Sequence, residues 1–170
     1  MRIAFINTMK NILIAILLSL AVISNLAYAE VKAVSKTADV NVNNFNEEDL
    51  QKILALAKQG DVEAQFKLGL MYYIGESVSQ DYKQAAYWYE KAATQGSADA
   101  QNNLGLMYDK GQGVTKNLIK AHMWANIAAS NNGIDRKLRD SVAKKLTSEQ
   151  LNKAQEMAKK CLSSKYKNCQ

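Results

Sequence analysis

Enzymatic chemistry by side chains needs a nucleophile beside a base, or carboxylates and imidazoles close enough to share a proton or a metal. This chain offers one histidine and two cysteines among 170 residues. His122 follows Ala121 and stands two residues before Trp124, inside a helical pattern, and reads as an exposed or partly packed helix residue. No serine occupies a Gly-x-Ser-x-Gly elbow, and no His-Glu-x-x-His pair occurs. Gly111-Gln112-Gly113 lacks the later glycine and lysine of a phosphate loop, so it reads as a turn. The carboxylates are dispersed, leaving general acid catalysis without a candidate. No catalytic residue, cofactor or metal is expected. Cys161 and Cys169 have no imidazole nearby and fall short of the four ligands that structural zinc takes.

The chemistry left to the two thiols is oxidation, and the start of the chain says whether it can occur. The first 29 residues contain Arg2 and Lys10, no acidic residue, the apolar run Ile12 to Ile23, and then Ala27-Tyr28-Ala29. That is the layout of a secretory signal peptide cut after Ala29, placing the protein in the periplasm or outside the cell. A membrane anchor needs about 20 apolar residues, and this run is shorter. No stable membrane span is therefore expected after cleavage. Met9, directly before Lys10, is an alternative start.

In an oxidising compartment Cys161 and Cys169 are expected to form a disulfide that stabilises the fold by about 2–3 kcal/mol. In one continuous helix their Cα atoms would stand about 12 Å apart, from eight residues at 1.5 Å each. A disulfide accepts about 4.4–6.8 Å. The last helix must therefore stop between them, with Ser163 and Ser164 as the breaking point.

These residues are carried on a repeated framework. Displaced by 36 positions, Ala64-Gln65 falls on Ala100-Gln101, and Leu68-Gly69-Leu70-Met71-Tyr72 falls on Leu104-Gly105-Leu106-Met107-Tyr108. Gly75 meets Gly111, Val78 meets Val114, Ala85 meets Ala121, Trp88 meets Trp124, and Ala92-Ala93 meets Ala128-Ala129. So many coincidences at one offset mark a repeated supersecondary unit. Ala64, Leu68, Met71 and Tyr72 share one face of a first helix. Gly69 permits close approach, and Gly75, or Gly111 and Gly113, ends that helix. Asp81 and Asn117 cap a second helix whose inner face is Ala85, Trp88 and Ala92, or Ala121, Trp124 and Ala128. The fold class is all-α, built from antiparallel helix pairs.

The flanks supply the ends of the stack. Residues 30–45 read as a flexible lead-in, and residues 46–63 as the second helix of a degenerate repeat, with Asn46 as N-cap and Phe45 stapled to Leu50. Residues 64–99 and 100–135 are the two full units. Residues 136–170 hold capping helices: one from Arg136 to Lys145, and another opened by a Thr147–Gln150 capping box with Leu146 and Leu151 as staple. Proline is absent throughout, as suits uninterrupted helices.

The pattern Ala-x-x-x-Leu-Gly-x-x-Tyr-x-x-Gly, followed by Val, Asp, Ala, Trp and Ala-Ala at fixed offsets, resembles the SEL-one-like repeat, a relative of the tetratricopeptide repeats. The resemblance is close over Ala64 to Asn132 and extends in outline over Asn46 to Lys160. Departures at Ser77, Asn117 and Asn132 touch turns and caps. It implies a right-handed α/α solenoid acting as a protein-binding scaffold or adaptor, many members being exported by bacteria. Some exported members bind β-lactams, so a small-molecule binder or a hydrolase of cell-wall-like substrates is the alternative from another class.

A third reading uses charge. The chain carries a net +6, and from Arg136 onward lysine and arginine far outnumber Asp140, Glu149 and Glu156. Such a tail suits an acidic polymer, although solvated helix faces often look the same. Tyr72, Trp88, Tyr108 and Trp124 occupy repeat-equivalent positions and are expected in the core, so no nucleic-acid stacking platform is expected.

The partner is expected to be another protein and the chain a monomer. Removing the packing positions from the first helix leaves Phe66, Leu70 and Tyr73 as a second stripe, equivalent to Asn102, Leu106 and Asp109, with Lys110 alongside. By resemblance to the tetratricopeptide repeats, this stripe lines the inner groove. The competing expectation is that Phe66 and Tyr73 simply pack on the upstream helix from Asn46 to Lys58.

Overall fold

Every helix start that carries a capping side chain uses a short polar residue. In the computed structural model, which describes residues 47–130 and 136–169, the elements are α1 (Glu47–Gln59), α2 (Val62–Ile74), α3 (Tyr82–Ala93), α4 (Ala98–Lys110), α5 (Leu118–Ser130), α6 (Lys137–Ala143) and α7 (Ser148–Ser163). The Asp61 carboxylate accepts from the Ala64 N–H at 2.7 Å, and Asp81 accepts from Lys83 and Gln84 at 2.8 and 3.1 Å. Asn117 takes the Lys120 N–H at 3.0 Å. Thr147 and Gln150 form the reciprocal box expected from the sequence. These bonds satisfy donors that a helix start otherwise leaves open.

The first helices of both units stop in the same way. Gly75 and Gly111 take left-handed φ values of 82° and 72°, and each donates its N–H to the carbonyl four residues back at 2.8 Å. The chain then turns and packs α2 on α3 and α4 on α5 as antiparallel pairs, with α3 against α4 joining the units and α1 on α2. The result is an all-α, right-handed α/α solenoid with a 36-residue period. Among the described residues there is no strand, and no helix is long and apolar enough to cross a membrane.

The motif side chains form the core. Ile53, Ala57, Ala64, Leu68, Met71 and Trp88 make one cluster between α1, α2 and α3. A larger one gathers α3, α4, α5 and α7 around Tyr89, Leu104, Met107 and Trp124. Both tryptophans are buried, while Tyr72 and Tyr108 are half-buried against these clusters. Gly69 is required by contact, since a Cβ there would stand 2.7 Å from the Tyr89 ring.

Gln65 and Gln101 are buried at equivalent positions, and each donates its side-chain amide to a carbonyl of the preceding helix, Ala57 at 3.1 Å and Ala93 at 3.0 Å. The repeat thus contains a polar tie as well as an apolar face.

Two sequence expectations change. α6 runs only over Lys137–Ala143 instead of Arg136 to Lys145, because Lys145 and Leu146 turn to donate to Val142 and Ala143 before the next capping box. His122 is buried, not exposed or partly packed, because α6 closes over its side of α5. The last helix packs on α5. The signal peptide, the lead-in, the Asn46 cap and the Phe45 staple lie outside the described residues.

At the C-terminus α7 ends at Ser163, and the Tyr166 N–H returns to the Cys161 carbonyl at 2.9 Å. The Ser164 hydroxyl donates to that carbonyl and accepts from the Asn168 N–H. This reversal brings the Cα atoms of Cys161 and Cys169 to 4.5 Å, joined by a disulfide. The expected break at Ser163–Ser164 is therefore the one observed.

Candidate binding surface

On α2 the positions opposite Leu68 are Phe66, Leu70 and Tyr73, all half-buried. The aromatic pair is already engaged within the molecule. Phe66 lies 5.8 Å from the Tyr89 ring, and Tyr73 meets Tyr82 edge-on at 5.4 Å. The Tyr73 hydroxyl donates to the Gln112 side chain at 3.2 Å, linking the end of α2 to the turn after α4. Both rings pack with the α3–α5 cluster rather than with the α1 cluster. The upstream helix is thus not their support.

The equivalent stripe on α4 is more polar. Asn102 and Leu106 are half-buried, and Lys110 is exposed. Asp109 receives the Lys145 ammonium at 2.8 Å on both carboxylate oxygens, from the segment following α6. With Lys145 substantially exposed, this pair contributes about 0–1 kcal/mol. Its larger effect is to fix where the Asp109 carboxylate points. Sequence reasoning did not identify Lys145, since the contact spans 36 residues and no local pattern announces it.

Tyr89 was also missed. It is fully buried beneath Phe66 and Tyr73, and its ring covers Gly69. Its hydroxyl is buried beside the Asn103 side chain, and burial raises its pKa well above the ordinary tyrosine value, an effect that Asn103 opposes. The signal was a size difference between units, Tyr89 against Ala125.

Leu70 and Leu106 stand apart from these residues. They are repeat-equivalent and half-buried, and they belong to neither core cluster. His122 has no acid–base partner on its buried Nδ1, and burial lowers its pKa, with Arg139 adding to that effect and Asp140 opposing it. Among the described residues no group of three or more His, Cys, Asp or Glu is placed to hold a metal ion. The surface presents apolar side chains bordered by amide and charged groups.

A helical solenoid with a 36-residue period belongs to the class of helical-repeat proteins. Within that class, a family model described as the Sel1 repeat matches residues 62–97 and 98–133, so the chain carries two Sel1 repeats in tandem. A solved structure of c5321, described as a protective antigen present in uropathogenic Escherichia coli strains displaying an SLR fold, is similar at 31% identity with a TM-score of 0.66. The match covers 69% of this chain and 27% of that one, so this chain spans about a quarter of its relative's length. A Sel1 repeat protein from Oxalobacter formigenes is 34% identical over 48% of this chain and 63% of that chain, with a TM-score of 0.48. A search of curated proteins finds no match. Sel1-repeat proteins are generally protein-interaction scaffolds.

Proposed function

We propose that this protein is an exported adaptor, acting in the cell envelope or outside the cell, that holds a segment of another protein along the first helices of its repeats. The observation that carries the reading is the pair Leu70 and Leu106. Two large apolar side chains recur at one repeat position while belonging to neither core cluster, which supports contact with a partner. Phe66, Tyr73, Asn102, Asp109 and Lys110 border them, the aromatics held by Tyr89 and the carboxylate by Lys145. Such fixed side chains lose little freedom on binding. Export is supported by the leader-like N-terminus and by a disulfide, which persists in oxidising compartments.

The test is to replace Leu70 and Leu106 by Glu. The double variant is expected to keep its melting temperature within a few degrees and to lose the stoichiometric protein recovered by the parent from envelope extract. Retention of that protein by a folded variant sinks the proposal, as does saturable binding of a small ligand in place of a protein.

A further inference from the structure

The two units share a core yet differ on the flank of their second helices. In α5, Met123 and Ile127 are fully buried. Their counterparts 36 residues earlier, Tyr87 and Lys91 of α3, are exposed, Tyr87 to 49%. Helix phase identifies what covers the second pair. Around α5, Trp124 faces the α4 side, as Trp88 faces the α2 side in the first unit, while His122 and the Met123–Ile127 pair fall on opposite flanks. α6 occupies the His122 flank, where Arg139 and Asp140 act on the imidazole. That leaves α7, which packs on α5 and shares a cluster with Met123 and Ile127 through Ala158, Cys161 and Cys169.

A second comparison gives the same answer. At Gly96, where α3 turns into α4, the Tyr166 ring approaches to 3.3 Å of the Cβ position. At Gly60, its equivalent one repeat earlier, nothing among the described residues lies within 4 Å of the Cβ position. The last helix and its disulfide-closed tail therefore fill a seam in the second unit whose copy in the first is open among the described residues. At that copy Tyr87, Glu90, Lys91 and Thr94 line a depression. Tyr87 stands edge-on to Trp88 at 5.0 Å, and the Lys91 ammonium lies 5.5 Å from the Tyr87 ring.

We propose that this open seam on α3, running toward Gly60, is the docking site for one amphipathic helix of a partner protein, seated as α7 sits on α5. The site continues an interface the molecule already makes with itself. The occupant must carry small side chains at the spacing of Ala154, Ala158 and Cys161, because the Tyr87 ring takes up space that Met123 leaves free. A carboxylate opposite Lys91 would complement a cation that forms no ion pair among the described residues. This surface lies off the first-helix stripe and does not depend on that reading.

Two experiments test it on the full chain. A labelled peptide of sequence Ser148–Ser163, with Cys161 replaced by Ser, is titrated onto the parent, onto Tyr87→Met/Lys91→Ile, which copies the second unit, and onto Tyr87→Glu. The copied seam is expected to bind at least tenfold more tightly than the parent and Tyr87→Glu not at all. Binding that ignores residues 87 and 91, or no binding to a folded copied seam, overturns the seam. A photo-crosslinker at position 87 in envelope extract is then mapped on its target. A helix with small residues at four-residue spacing is expected; a non-helical segment, or a second copy of this chain whose dimer dissociates in Tyr87→Glu, overturns the partner assigned.

Discussion

His122 shows how one buried group couples this fold to pH. Burial lowers its pKa in the folded chain, while in the unfolded chain it titrates near 6.5. The unfolded state therefore takes up a proton first as pH falls. Stability is complete above about pH 6.5 and declines below it until the folded group also protonates. His122→Ala, which restores the residue type of Ala86 in the first unit, is expected to flatten that decline. Urea unfolding at pH 7.5 and at pH 5.5 reads it; an equal loss in parent and variant excludes His122 as the cause. Gln101 makes a second residue-scale case. Gln101→Leu removes the side-chain donor to the Ala93 carbonyl, which keeps the Gly96 N–H, and is expected to cost about 0.5–1.5 kcal/mol by chemical denaturation. An unchanged midpoint would show that the tie contributes nothing.

Among the elements, the turn between paired helices is where the units differ most in strain. Gly113 has φ 69°, and a Cβ there would fall on the Tyr82 carbonyl at the start of α3. The equivalent Ser77 holds φ 61° with a side chain. Ser77→Gly is expected to stabilise by about 0.5–1 kcal/mol, the relief of left-handed strain less the added freedom of the unfolded chain. Gly113→Ala is expected to cost about 2–4 kcal/mol from overpacking plus strain. Opposite signs in thermal melts check both; equal effects would mean that the two turns are alike. The tail gives a further element-scale prediction. Reducing Cys161–Cys169 is expected to lower stability by about 2–3 kcal/mol on the chain-entropy estimate, measured as the denaturant midpoint with and without reductant.

For the molecule as a whole, the repeat period was legible because each unit spends the same residues on the same contacts. Ala64, Leu68, Met71, Trp88, the Asp81 and Asn117 caps and the Thr147–Gln150 box could be placed by spacing alone, since helix phase and cap chemistry are local. The 36-residue offset, the two helices per unit, the glycine stops and the helix break before Cys169 all follow from residues near one another in sequence. What only the tertiary structure decided are contacts between distant segments. Phe66 and Tyr73 lean on Tyr89 and Tyr82, Asp109 is held by Lys145, and His122 is covered by α6. The most consequential is the seat of α7, whose apolar face was readable but whose choice of α5 was not. An amphipathic helix declares that one side must be buried, and nothing in its own sequence says against what.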